Sequence, residues 1–414
     1  MRAALLLLAL LELLPRAAWP QGSPVGPEFL VNTYTTNQQT QPSVAADASG
    51  NFVVVWESQV DQLRRHIFGQ RYASSGAPAG GEFRVNTDPY IPATHSAASV
   101  GSDAAGNFVV IWQYQPLAPG GLRGRRFTSS GIPLGGDFMP GSSGYSFLPA
   151  VAVDPAGSFV VVWEGLFPGD GSGKAVFGRR YDSSGVPLAL FRVNTYTTAD
   201  QSLASVATDS SGNFVVVWTS DAQDGSGLGI FGQRYDASGA PVGSEFRVNT
   251  YTTDNQGRPS VAADSSGDFM VVWQSAAQDG SGDGAFGQRY ASSGAPLGPE
   301  FLVNTLTTGN QNNPAVAADA AGNFVVTWSS FGQDGSIDGI FGQRYDAAGA
   351  PLGPEFRINT NTLGSQSASA VASDLSGDFV VAWQSAGQDG SGDGIVGQRF
   401  NMILPVELMH FRVE

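Results

Sequence analysis

The chain has 414 residues, of which 14% are charged, with no cysteine and a formal net charge of −15. Without cysteine there are no disulfides, so stability must come from a large packed core. The acidic balance argues against nucleic acid or an anionic membrane surface as partner, because both select basic faces. Lys174 is the sole lysine, and the place of charged residues is taken by Gly, Ser, Thr and Asn, so the surface hydrates through neutral polar groups.

Residues 1–19 stand apart. Arg2 gives a positive start, Ala3 to Leu14 is an apolar run broken only by Glu12, and Ala17 and Ala18 are small. This pattern resembles a secretory signal peptide, with Arg16 close to the point of cleavage. An apolar run of about twelve residues is short against the roughly twenty that span a bilayer, so a removed leader is expected rather than an anchor.

From there a single phrase repeats. Trp56, Trp112, Trp163, Trp218, Trp273, Trp328 and Trp383 follow one another at gaps of 56, 51 and then four times 55 residues. Each closes a phrase such as GNFVVVW at Gly50 to Trp56 or GDFMVVW at Gly267 to Trp273. Seven units of this length are the mark of a repeat architecture.

In the unit from Pro259 to Thr305 four extended segments are expected, at Ser260 to Asp264, Asp268 to Trp273, Ala285 to Tyr290 and Glu300 to Asn304. The second is apolar at every position after its first, so both of its faces must be buried. Phe269, Val271 and Trp273 point one way, Met270 and Val272 the other. Asp264-Ser-Ser-Gly267 and the stretch Ala291 to Gly298 supply tight reversals between neighbouring segments. No stretch after the leader has a helical stripe.

Four antiparallel strands per unit, buried on both faces and repeated seven times, describe an all-β fold, a seven-bladed β-propeller over residues 28–401. The alanines of the first segment fit the crowding around a central channel. Gly26 to Thr33 matches Gly298 to Thr305 residue for residue and precedes any first strand, so the N-terminal strand is expected to close the last blade. A rival for that slot, His410 to Glu414, lies in a C-terminal tail of residues 402–414.

The phrase from SSGNFVVVW through QDGSG and GIFGQRYDASGAPVG to EFRVNT resembles repeats of large exported bacterial proteins of mostly unassigned function. The resemblance covers residues 28 to 400 and implies a propeller that is secreted or held at the surface of a bacterium. It supplies no active-site residue. A more distant similarity, in the aspartate and glycine loops alone, is to the calcium-bearing repeats of integrin-type heads.

Strand order sorts the loops into two rims. Loops between first and second and between third and fourth strands are short and nearly invariant; those on the other rim are longer and varied, which is where binding residues usually sit. That rim carries Asp279-Gly-Ser-Gly-Asp-Gly284, Asp334-Gly-Ser-Ile-Asp-Gly339 and Asp389-Gly-Ser-Gly-Asp-Gly394. Oxygen ligands at positions one, three and five make Asp279, Ser281, Asp283, Asp334, Ser336, Asp338, Asp389, Ser391 and Asp393 candidate calcium ligands, although Tyr290 stands where a terminal glutamate would be. The competing reading is a turn in which the aspartate caps its own backbone.

An aspartate ends every first strand and an arginine sits in every third strand. Residues present in all units are read as scaffold: turn caps for the aspartates, inter-strand bonds for the arginines. Departures from the repeat are the better functional candidates, and they gather in the first three units: Arg64, Arg65, His66, Tyr90, His95, Tyr114 and Tyr145. Such a basic and aromatic patch suits an acidic or sugar ligand, against the alternative of drift on a solvated rim. Glu57, Asp61 and Glu164 are the carboxylates that break pattern there.

With three histidines and no cysteine, a zinc site or nucleophile triad has little material. The expectation is a secreted, non-catalytic binding or display module for extracellular protein or glycan ligands, monomeric, without nucleic acid, with no required cofactor and calcium as the candidate ion. Two alternatives stand beside it: a carbohydrate-active enzyme, glycosidase or lyase, using the central channel, and a structural module of a surface layer.

Overall fold

The computed structural model describes residues 23–401 apart from 62–63, 88–92, 116–119, 142–145 and 167–172. The leader, the C-terminal tail, Tyr90 and Tyr145 therefore lie outside the described residues. The described residues form seven antiparallel sheets in a ring, with no helix among them: a seven-bladed β-propeller. Each inner strand lies against the inner strands of the blades on either side, and Gln366–Ser373 of blade 7 lies against Gln39–Ala46 of blade 1.

Blade 5 shows why the sequence folds this way. Its strands are Gln256–Ala263, Phe269–Ala276, Asp283–Tyr290 and Phe301–Leu302. The second strand is buried on both faces as its composition requires: Phe269, Val271 and Trp273 pack with Val215 and Val217 of blade 4, and Met270 and Val272 pack with Val326 and Trp328 of blade 6. Gly287 lets the ring of Phe301 lie on the backbone, since a Cβ there would stand 3.0 Å from Phe301 Cζ.

Two boundaries differ from expectation. The inner strand begins at Gln256 rather than Ser260, because the register shifts between Gly257 and Ser260 and the chain passes through Arg258 at φ 54°. Pro259 sits at that β-bulge, where no ladder N–H is required of it. The outer strand is shorter than the expected Glu300 to Asn304. After Val303 N, which still donates to Ala285 O (2.8 Å), the Asn304 side chain takes over: its Oδ1 accepts from Ala285 N (2.7 Å). A short outer strand also leaves little edge for unwanted pairing.

Blade 2 is the irregular one. Thr94–Ser102, Phe108–Gln115 and Gly121–Phe127 form three strands, and isolated bridges Gly124↔Phe138 and Phe127↔Pro133 stand in for the fourth.

Closure uses the N-terminal strand. Phe29–Leu30 pairs antiparallel with Asp393–Phe400, Val31 N donates to Ile395 O (2.8 Å), and Val25 N donates to Arg399 O (2.7 Å). Glu28 then ties blade 7 to blade 6: its carboxylate accepts from Thr360 N and from Gln388 Nε2. The same latch recurs as Glu82 with Thr33, Glu245 with Thr195, Glu300 with Thr250 and Glu355 with Thr305.

Deleting residues 23–34 removes Phe29 and Val31 from the core between blades 7 and 1, each worth about 1.5–3 kcal/mol, and opens the ring. We expect this truncation to lower the thermal midpoint far more than deletion of 403–414. Equal midpoints for the two truncations would overturn closure by the N-terminal strand.

Candidate functional site on the variable rim

The residues common to all blades are occupied by scaffold bonds. Asp264 Oδ1 accepts from Ser266 N (2.8 Å) and Asp268 N (3.0 Å), closing the turn between first and second strands; Asp47, Asp154, Asp209, Asp319 and Asp374 do the same in their blades. The arginines bond between blades rather than between strands of one blade. Arg71 donates to Ser129 O (2.7 Å), Arg234 to Ser292 O (2.7 Å), and Arg399 to Ser75 O across the closure (2.6 Å).

The aspartate and glycine loops also turn inward. Asp279 Oδ1 accepts from Ser281 N (3.2 Å) and its Oδ2 from Asn304 Nδ2 (3.3 Å). Asp334 and Asp389 repeat this with Ser336 and Asn359, and with Ser391 and Asn32. Asp283, Asp338 and Asp393 already belong to the third strands. Burial raises Asp283 above the ordinary carboxylate range, with Asp279 adding to the rise and Arg258 opposing it; burial and then Asp389 raise Asp393. Among the described residues no three His, Asp or Glu side chains gather as a metal cluster.

The axial channel opens on the same rim. Each inner strand has one non-glycine residue in the left-handed region at its bulge: Gln41, Ala97, Leu148, Leu203, Arg258, Asn313 and Ala368. A cavity of about 320 Å³ runs between residues of six consecutive blades, from Ala97 through Leu148, Leu203, Arg258 and Asn313 to Ser369. In three joints the side chain following the motif tryptophan reaches this ring from the neighbouring blade. Gln274 Oε1 accepts from Asn313 N (3.4 Å), Gln384 Oε1 from Gln41 N (3.4 Å) and Glu57 Oε1 from Ala97 N (2.7 Å).

Glu57 begins a constellation between blades 1 and 2. It stands at the end of the strand Phe52–Gln59 with 1% of its surface exposed, and its Oε2 meets Arg65 Nη1 at 2.9 Å. Arg65 and His66 open the strand Arg65–Tyr72. The Arg65 carbonyl contacts His95 Nδ1 (3.0 Å), and Asn86 Nδ2 lies 3.1 Å from His66 Nδ1 and 3.3 Å from His95 Nε2. The rings continue in a row: His66 to His95 at 5.4 Å, His95 to Tyr114 at 5.4 Å, and the Arg123 guanidinium 4.8 Å from the centre of Tyr114. A similar buried acid lies in blade 3, where Glu164 Oε1 is 2.8 Å from Lys174 Nζ.

Of the expected ligand residues, the structure brings together Arg65, His66, His95 and Tyr114. Arg64 pairs with Asp61 instead, both half-buried. Two members escaped the sequence reading. Arg123 stands where other blades carry the Phe of FGQRY, a departure visible in GLRGRRF. Asn86 carries no such signal, because an asparagine is present at the same place in other blades.

No family model and no curated protein matches the chain. Solved structures do. A protein of unknown function from Dyadobacter fermentans is 11% identical, with 93% of this chain and all of that one covered at a TM-score of 0.54. The polysaccharide lyase Uly1 is 10% identical, covering 92% and 100%, also at 0.54. Puromycin hydrolase is 14% identical at 0.54, but this chain spans only 58% of its length. At these identities the likeness shows the fold alone. Sialidases and arabinanases also match, at TM-scores of 0.49 or less that carry no argument by themselves.

The expectation of a non-catalytic binding or display module is corrected here. The rim holds a charged and aromatic constellation, Arg65 on Glu57 and the row His66, His95, Tyr114 and Arg123, whose absence had motivated that reading.

A carboxyl group raised in the folded state stabilises the protein only while it is protonated, and that contribution is lost as pH rises through the folded value. Asp393→Asn should therefore raise the thermal midpoint at neutral pH and make no difference well below the ordinary aspartate range. A wild-type midpoint that rises with added calcium, and no longer rises in Asp393→Asn, would instead make the paired carboxylates a cation site.

Proposed function

We propose that the protein is a carbohydrate-active enzyme that cleaves a uronate-bearing polysaccharide by elimination, on the rim between blades 1 and 2 beside the channel mouth. One observation carries the reading. The two buried acids that break the repeat are each held by a cation, Glu57 by Arg65 and Glu164 by Lys174, which leaves imidazole, phenol and guanidinium as the reactive groups at the joint between blades 1 and 2.

Hydrolysis of a glycosidic bond generally needs two carboxyl groups about 5–9.5 Å apart across that bond, one free to donate a proton. Glu57 and Glu164 belong to different blades and both are committed to ion pairs. Elimination needs other groups. Cationic and N–H donors hold the sugar carboxylate and take up charge that spreads onto it as the proton on the adjacent carbon is removed. A base accepts that proton, the carbon–oxygen bond one carbon further breaks, a carbon–carbon double bond forms, and the departing oxygen gains a proton. Arg123, His66 and Tyr114 are residues of the types this chemistry uses.

Charge favours the same substrate class. In a chain of net charge −15, the Arg123 guanidinium beside Tyr114 is the cationic donor on this rim that a sugar carboxylate would meet. The similar structure named a polysaccharide lyase puts that activity on the same fold, which is analogy of scaffold.

The test is to incubate the full chain with uronate-bearing and neutral polysaccharides, reading new reducing ends together with the ultraviolet absorbance of the conjugated double bond. Both signals should rise with the uronate polymers alone. Arg123→Gln should then lower kcat/KM about 10- to 100-fold, the size of one lost charge-assisted contact. Reducing ends without the double bond would make the protein a hydrolase, and neither signal would end the enzymatic reading.

A further inference from the structure

The seven bulges of the inner strands share one backbone conformation, with φ between 45° and 54°, and differ in the side chain they carry. Glycine takes that conformation without strain, yet none of the seven is glycine. The scaffold repeats the bulge and the sequence varies what stands on it. Five of these residues, Ala97, Leu148, Leu203, Arg258 and Asn313, line the cavity of about 320 Å³ at the channel mouth.

The lining divides into two sides. Leu148 and Leu203 stand on the adjacent inner strands of blades 3 and 4, and Arg258 and Asn313 on those of blades 5 and 6. Ala97 opposite them is small and leaves the space open. Three of the bulge residues, Leu148, Arg258 and Asn313, are followed by prolines that also line the cavity and bring no N–H to it. The wall is therefore apolar between its few polar groups.

Of those polar groups, Ser369 is buried and its hydroxyl is engaged by Thr327 Oγ1 (3.1 Å). Asn313 receives the Gln274 cap on its backbone N–H, and its side-chain amide has no partner among the described residues. Arg258 is exposed and forms no ion pair among the described residues. Asp283 feels its charge, which draws that carboxyl down against the burial that raises it, but does not pair with it. On the blade 2 side the Glu57 carboxylate that caps Ala97 is already matched by Arg65.

We propose that the channel mouth is a binding site for a compact monocarboxylate with an apolar body, its carboxylate on the Arg258 guanidinium and its body against Leu148 and Leu203. A guanidinium presents paired N–H donors that match the two oxygens of one carboxylate, and the Asn313 amide can add a third donor. A second acid group on the ligand would face Asp283 with nothing to neutralise it. A sugar ring suits this surface poorly, because each hydroxyl turned toward leucine or proline loses water and gains no partner. A cavity of this size with an apolar wall and a few placed polar groups is the usual form of a small-molecule site. Arg258, Leu148 and Leu203 lie outside the joint between blades 1 and 2, so the site does not rest on the lyase reading.

Calorimetric titration of the full chain at low salt tests this with three probes. Benzoate should bind at a single site. Benzyl alcohol keeps the ring without the charge, and glucuronate keeps the charge on a hydroxylated ring; each should bind at least about 10-fold more weakly. Arg258→Gln should weaken benzoate about 10- to 100-fold, and glutamine is accepted at this bulge, as Gln41 shows in blade 1. Leu203→Gln should weaken benzoate and leave glucuronate unchanged. Asp283→Asn removes the carboxylate that competes for the guanidinium and should tighten benzoate about 2- to 5-fold. Thermal midpoints equal to that of the wild type show that the variants lose a contact and not the fold. No binding of benzoate, or equal binding to Arg258→Gln, overturns the site. Glucuronate bound as tightly as benzoate overturns the apolar body. None of these readouts depends on whether the chain cleaves a uronate polymer.

Discussion

Among the described residues every hydrophobic core in this ring lies between two blades and none lies within one. The seven clusters of buried side chains each straddle a joint, so that the Phe, Val and Trp face of one second strand meets the alternate face of the strand before it. A single blade has nothing to bury its two apolar faces against, and the ring has to close for the first and last blades to have a core at all. The motif tryptophans show which term governs. Six of the seven bury an indole N–H with no acceptor, a cost of about 1–3 kcal/mol each. Removing such a side chain from water contributes about 4–6 kcal/mol as an upper estimate, so volume outweighs the unmade bond.

Polar contacts between blades are correspondingly regular and are largely confined to strand ends. The glutamate latches and arginine staples join neighbouring turns, and on the inner strands Ser43, Ser99, Ser205 and Ser260 each accept from a backbone N–H of the next blade at 3.2–3.3 Å. With the joints held in this way, the loops of the varied rim are free to depart from the repeat without touching the core. The departures occur where the ladder is ending: Glu57 and Tyr114 close second strands, and Arg65 and His66 open a third.

The fold was legible because the period of the tryptophans counts the blades and the alternation within FMVVW assigns both faces, as the clusters containing Phe269, Val271 and Trp273 and those containing Met270 and Val272 bear out. The inner strand was read short because Pro259 looks like a breaker unless a bulge absorbs it, and a bulge leaves no mark of its own in one sequence. The site was half legible. Departure from the repeat found Arg65, His66, His95 and Tyr114, and the same rule applied to GLRGRRF reaches Arg123. It also selected Arg64, whose charge goes to Asp61, because a departure tells where a side chain differs and not which partner it meets. Asn86 could not be found so, since the residue is unchanged and only its neighbours are new.

The joint between blades 1 and 2 also couples the rim to the channel. Arg65 holds the Glu57 carboxylate through its side chain and His95 through its carbonyl, while Glu57 caps the bulge at Ala97, which lines the cavity. In blade 5 the equivalent contact is a neutral one, Gln274 on Asn313 N. A buried carboxylate on a backbone N–H makes a stronger and more directional cap than an amide oxygen does, but only while a cation stays beside it. An anion that drew Arg65 toward itself would therefore weaken the hold on Glu57, and through it on the inner strand of blade 2. The rim is thus joined to the channel mouth through three residues in direct contact, Arg65, Glu57 and Ala97, with a charged pair that the neutral joint lacks.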